Sequence, residues 1–274
     1  MAKEPTVFPY EEEARLRNMP EYNEHVKWPV GNRVIVMTNP RHEERWCGIK
    51  GPMILSDIVG IIFSSTGSDS MHCIYLGVAR QMCHLWSDKE FKDKPFSIFK
   101  KLKEVDRRMR DLTPPHYLHR TPQTFDKIIY WKATELRSFL FNLSLIVLKD
   151  FLLPVYYAHL TLFVKGVSLL NTSSISQKDL LVSSLLLSQF VDNFSSLYGS
   201  NCMSHNLHMI VHLTQYVKLL GPLWAISCYK FEDINGTLSN LIHGTRHVGL
   251  QIHSNLSIVT KLPFIVRNLK EGEA

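Results

Sequence analysis

Apolar residues recur at helical spacing through most of the second half of the chain, from about residue 124 onward. Start and stop signals divide this region into successive predicted helices. These run from Thr124 or Asp126 to about Leu148, from Pro154 to about Leu170, from a Ser176 cap to Tyr198-Gly199, from Asn201 or Ser204 to Leu220, and onward from near Phe231. The first covers more than one face with apolar residues and is expected to be central. Residues 223–229 predict a short strand or an extended turn.

An earlier helix is predicted over residues 69–86. Gly67 and Ser68 break the chain, and Asp69 is placed to accept hydrogen bonds from the free N–H groups of the first turn. An apolar run then continues at helical spacing through Trp86. Asp69 and His72 are therefore open to two interpretations, a helix cap with a first-turn residue or a pair that carries chemistry.

The N-terminal segment, residues 1–47, is rich in prolines and charges and is expected to be extended and poorly packed. Val34–Thr38 could form a strand within it. The remaining residues, 48–274, are expected to form one mostly helical domain. The fold class that follows is mainly α with few short strands.

Net charge is +6 and the sequence pI is near 9.0, so nucleic acid is a possible partner. Residues 88–111 hold nine basic and six acidic residues. This segment is either a phosphate-facing patch or a solvated helix face with i,i+4 ion pairs. The candidate phosphate contacts are Lys100, Lys101, Lys103, Arg107 and Arg108.

Five cysteines are widely spaced without a C-x-x-C pair, which predicts a reduced intracellular protein with neither a disulfide framework nor a zinc finger. The most apolar region, residues 139–170, is interrupted by Lys149, Asp150, Pro154 and Lys165. We therefore expect buried helices and no membrane span.

Three histidines, His205, His208 and His212, share one face of a predicted helix. They are either metal ligands, zinc being the candidate, or packed and hydrogen-bonded residues. The helical metalloprotease pattern needs a glutamate beside its first histidine, which this segment lacks.

Glu232 is either a first-turn acid stabilised by the helix dipole or a magnesium ligand. Asp69 would be the second carboxylate, 163 positions away in the sequence, so only the fold could bring them together. The chain has no G-x-x-x-x-G-K-[ST], G-x-G-x-x-G or G-x-S-x-G motif. A nucleotide cofactor and an α/β-hydrolase site therefore have no support.

Several segments together resemble one known family. In order they are Gly48-Ile-Lys-Gly, Asp69-Ser-Met-His-Cys-Ile-Tyr-Leu-Gly-Val-Ala-Arg-Gln, Ile129-Tyr-Trp-Lys-Ala-Thr-Glu-Leu-Arg-Ser-Phe-Leu, Asn206-Leu-His-Met-Ile-Val-His-Leu and Tyr229-Lys-Phe-Glu-Asp-Ile-Asn-Gly. This series, over residues 45–245, resembles the transposase of animal CACTA (EnSpm-like) DNA transposons and domesticated or decayed genes derived from it.

The resemblance implies the C-terminal part of an RNase H-like core that binds magnesium through carboxylates. It implies a helical insertion over about residues 124–222 and a glutamate helix from about residue 231. Glu232 would be the catalytic glutamate, with Asp69 and His72 as an accompanying Asp-x-x-His element. DNA, a related transposase or a second copy would be partners, and the location would be nuclear, or otherwise cytoplasmic.

The chain also departs from the family pattern. The upstream metal-binding aspartates are expected to be missing, and Arg246 stands alone where several basic residues are expected as DNA contacts. Loss of even one metal ligand should remove most of the rate. We therefore expect a transposase-derived protein without independent catalysis. The alternatives are a residual magnesium-dependent DNA strand-transfer or nuclease activity completed in trans, and a helical protein-interaction module.

Overall fold

A computed structural model of the chain describes residues 68–112 and 122–272, with side chains as far as residue 262. The described residues are mainly helical and contain no β-strand. They belong to two units, one ending at Ile226 (unit 1) and one beginning at Ser227 (unit 2). Residues 1–47, including the possible strand at 34–38, lie outside the described ranges.

Helices follow one another closely along unit 1. They are a first π-helix Met71–Ala79, α1 Arg80–Ser87, α2 Leu102–Asp111, α3 Ala133–Ser138, a second π-helix Phe139–Leu143, α4 Ser144–Val147, α5 Pro154–Leu170, α6 Gln177–Tyr198, α7 His205–Met209 and α8 Leu213–Leu220. Short 3-10 helices lie at Lys89–Phe91, Phe99–Lys101, Phe125–Tyr130, Ser200–Cys202 and Ile210–His212. Unit 2 has α9 Tyr229–Asn240 and α10 Val248–Gly272.

The antiparallel pair α5 and α6 forms the centre of the unit 1 core. The predicted start of α6 is confirmed by a capping box. Ser176 Oγ accepts from the N–H of Asp179 at 3.1 Å, and the Asp179 carboxylate accepts from the N–H of Ser176 at 2.9 Å. The two helices approach closely at Gly166, whose carbonyl accepts from buried Ser183 Oγ at 2.8 Å. A Cβ on Gly166 would lie 2.7 Å from the Leu187 side chain, so any larger residue would force Leu187 to move.

The predicted continuous helix over residues 124–148 is wrong, although the segment is central as expected. The chain is extended at Trp131 and Lys132, and α3 begins only at Ala133. Trp131 is buried and packs against Phe125 and Phe139, with ring centroids 5.4 Å away in both cases. Burying these three large rings together favours a bend over an uninterrupted helix.

The predicted helix over residues 69–86 is present at nearly that extent, but its first half is a π-helix. The N–H of Arg80 reaches back to the carbonyl of Tyr75, five residues earlier. Residues 223–226 form a turn, so the turn interpretation of 223–229 is correct and the strand interpretation is wrong.

One described helix, α6, is long and apolar enough to cross a bilayer by length and composition alone. Buried core helices and signal sequences pass the same test, and 28% of the apolar window of α6 is buried. In unit 1 the Leu187, Phe190 and Phe194 side chains of α6 are buried inside the protein.

Candidate functional site

The Asp69 carboxylate caps the first π-helix, as its position after Gly67 and Ser68 predicted. Oδ1 accepts from the N–H of Met71 at 3.1 Å, and Oδ2 accepts from the N–H of His72 at 3.0 Å. Both N–H groups belong to the first turn, where no intrahelical acceptor exists. The capping interpretation of Asp69 is therefore confirmed, while a further role remains open.

The same carboxylate also holds the His72 imidazole. His72 Nδ1 contacts Asp69 Oδ2 directly, and since a carboxylate only accepts, Nδ1 must carry the proton. The His72 side chain is 54% exposed, whereas that of Asp69 is 17% exposed. A carboxylate that fixes an exposed imidazole is a pair able to move a proton or to donate to an anion.

Next to this pair, the first π-helix places the side chains of Cys73 and Tyr75 in the interior of unit 1. Burial raises the pKa of Tyr75, while the Arg137 guanidinium, hydrogen-bonded to the phenol, opposes the rise. Burial also raises the pKa of the Cys73 thiol to about 11, and the negative charge of Asp69 adds to that rise. Cys73 is consequently a protonated, unreactive thiol at neutral pH.

Helix α7 packs directly against the π-helix and brings the predicted histidine face near it. The Asn206 carbonyl accepts from Cys73 Sγ at 3.4 Å. A Cβ on Gly77 would lie 2.7 Å from Asn206 Nδ2, so glycine permits this approach. Ser70, directly before the first π-helix, donates from Oγ to the carbonyl of Leu223 at 2.9 Å.

The three histidines differ in their surroundings. His205 is exposed, His208 is half-buried and His212 is buried. The rings of His208 and His212 meet edge to face at 5.2 Å, and His212 Nδ1 lies 3.4 Å from Gln215 Oε1. This is the packed and hydrogen-bonded arrangement for His212, and the zinc interpretation of the set stays a prediction.

Glu232 lies in unit 2, in the first turn of α9, and its side chain is exposed. An acid there is stabilised by the helix dipole. Arg246 is exposed in the segment between α9 and α10 of the same unit. Asp69 and Glu232 thus belong to different units, and shared binding of magnesium by the two stays a prediction.

The basic candidates of residues 88–111 fall into two groups, exposed side chains and side chains that contact other residues. Lys103 and Arg107 are exposed on α2, and Arg110 joins them at i+7 from Lys103. Val105 and Met109 are buried on the opposite side of α2 and fix its orientation. Lys101 is exposed, while Lys100 forms an exposed ion pair with Asp93 at 2.9 Å.

Arg108, in contrast, points toward the protein. Its guanidinium donates to the carbonyl of Val147, the last residue of α4, and to that of Lys149, and it lies 4.3 Å from the centre of the Phe151 ring. A cation that satisfies the last carbonyls of a helix is a C-terminal cap. The structure therefore gives Arg108 a structural contact, which the charge pattern did not reveal.

Sequence reasoning missed Tyr75, Arg137 and Asn206 as neighbours of the Asp69–His72 pair. Arg137 is 62 positions beyond Tyr75 and Asn206 is 129 beyond Gly77, so no local spacing rule connects them. Only Gly77 carried a signal, since a glycine inside a helical pattern often marks a close approach.

No family model, no curated protein and no solved structure matches this chain.

Proposed function

We propose that this protein is a transposase-derived helical protein that binds DNA electrostatically and does not catalyse strand transfer by itself. The observation that carries the DNA-binding part is the exposed basic row of α2, formed by Lys103, Arg107 and Arg110. The derivation from a transposase, and with it an RNase H-like ancestry, rests on the five ordered segments of the sequence.

The basic row is one face of one helix. Residues at i, i+4 and i+7 point the same way, and they span roughly 10 Å of the helix axis. The acids of α2 offset part of this charge, because Asp106 interacts with Arg110 while accepting from the N–H of Phe125 at 3.0 Å, and exposed Glu104 and Asp111 lie three and four residues from Arg107. Three cations on a rigid support can follow a phosphate backbone without reading bases, which supports sequence-independent binding.

The test is binding of a fluorescent duplex, measured by anisotropy across a salt series. The variant Lys103→Gln/Arg107→Gln/Arg110→Gln should lose affinity, and the slope of log affinity against log salt should fall by about 3. A control removes three exposed lysines elsewhere in unit 1, Lys132, Lys165 and Lys218. Equal loss in the two variants would reject the row as the contact surface, and no binding at low salt would reject DNA binding.

A second candidate is residual phosphoryl transfer, which the Asp69–His72 pair favours because its imidazole is oriented and exposed. It is tested by nicking of supercoiled DNA with magnesium or manganese, comparing wild type with Glu232→Gln and His72→Gln. Loss of nicking in both variants would support this function. Equal nicking by all three proteins would assign the activity to a contaminant and reject it.

A further inference from the structure

We infer that this protein self-associates through the outward face of α6, which pairs antiparallel with α6 of a second copy. Exposed residues recur on this face at i, i+3 and i+4 spacing, and the outer stripe they form is Lys178, Leu181, Leu185, Gln189, Asp192 and Ser196. This inference does not depend on DNA binding, because the stripe contains none of the residues of the α2 basic row.

The outer stripe presents large apolar side chains at its middle. Leu181 is 63% exposed and Leu185 is 64% exposed, one helical turn apart. The opposite face of α6 is fully used inside unit 1, where Leu187, Phe190 and Phe194 are buried. The helix is therefore held firmly from one side, while two neighbouring leucines face solvent on the other.

The charges on the stripe select a second copy as the occupant. Lys178 lies seven residues before Leu185, and Asp192 lies seven residues after it. If a two-fold axis passes beside Leu185, an antiparallel partner places its Asp192 opposite Lys178 and its Lys178 opposite Asp192. The stripe is thus self-complementary, with two ion pairs flanking a leucine centre.

The side chains also fit this register. Leu185 meets its own counterpart at the axis, and Leu181 faces Gln189, whose methylene groups can cover it. A shallow crossing angle of about 20° keeps the helices close enough for the flanking charges to meet. The contact is smaller than a standard protein interface of about 1,600 Å², so we expect a weak, concentration-dependent dimer.

Charge reversal tests the register directly by sedimentation velocity over a concentration series. Lys178→Glu and Asp192→Lys should each weaken dimerisation, because each places like charges opposite one another twice. The double reversal Lys178→Glu/Asp192→Lys should restore it. Both single changes suit the dipole of α6, since they put an acid in its first half and a base in its second, so unit 1 should stay folded.

Leu185→Ser should abolish the dimer, and Leu219→Ser, at an exposed leucine on α8, is the matched control that should not. A wild type that is monomeric at every concentration would overturn the inference, as would a double reversal no better than either single change. Leu185-dependent binding to phosphatidylcholine–phosphatidylserine vesicles by a monomer would also overturn it, and would assign the stripe to lipid.

Discussion

Acid is expected to destabilise this protein through His159, in the middle of α5. The imidazole is 2% exposed and stacks on Phe190 with ring centroids 4.4 Å apart. Its Nε2 donates to the carbonyl of Phe190 at 2.8 Å, and its buried Nδ1 has no hydrogen-bond partner among the described residues. A second proton would have to be placed on Nδ1, where no acceptor receives it.

Burial lowers the pKa of His159 from 6.5 to about 4, and the Phe190 carbonyl opposes only part of that shift. Between these two values the unfolded chain binds a proton that the folded chain does not. The stability that neutral His159 contributes is therefore complete above pH 6.5 and is lost as the pH falls toward 4. At pH 5 the loss amounts to about 2 kcal/mol relative to neutral pH.

The assay is urea unfolding of wild type and His159→Phe at several pH values between about 7.5 and 5. Phenylalanine preserves the stack on Phe190 and cannot titrate, so the variant should lose less stability than wild type on acidification. His159→Gln, which keeps an N–H donor for the Phe190 carbonyl, separates the hydrogen bond from the titration. His205→Gln, at an exposed histidine, is the control. Parallel pH profiles for wild type and His159→Phe would refute the argument.

Three further predictions concern unit 1, each measured as the free energy of unfolding in urea. Gly77→Ala should cost about 1–3 kcal/mol, because the new Cβ would lie 2.7 Å from Asn206 Nδ2. Adding Asn206→Ala should recover only part of that loss, since the backbone oxygen of His72 would lie 2.8 Å from the same Cβ. A Gly77→Ala variant as stable as wild type would contradict the prediction. Asp69→Ala should lower the free energy of unfolding by about 1 kcal/mol through loss of the cap. Asp69→Asn should keep most of that stability, because its amide oxygen can still accept from the same N–H groups. Equal losses in the two variants would point to charge instead. Arg108→Gln should cost about 1–3 kcal/mol, because the carbonyls of Val147 and Lys149 lose their donor and Phe151 loses its cation. The neighbouring exposed Arg107→Gln should cost little.

Local signals predicted several helix starts correctly. The caps at Asp69, Ser176 and Ser204 and the first-turn proline of α5 act within three or four residues, so the sequence nearby contains all the information. Hydrophobic spacing likewise predicted a mainly helical chain.

Contacts between distant segments were beyond such reasoning. The bend at Trp131 depends on rings that meet only in the folded core, and an apolar run does not show where it will break. Arg108 belongs to a basic run in the sequence, yet its contacts lie about forty residues away. The partners of Asp69 could be predicted within its own turn, whereas those of Tyr75 and Gly77 could not.

The π-helix at Met71–Ala79 makes the length of that segment as important as its composition. A π-helix accommodates an extra residue relative to an α-helix, so deleting one residue would allow the segment to revert to α-helical bonding. The residues before the deletion would then rotate by about 100° relative to those after it. With the core residues of α1 held in place, Ser70 would turn away from the Leu223 carbonyl to which it donates. Evolution or engineering should therefore tolerate substitution of exposed His72 far better than the gain or loss of a single residue in this stretch.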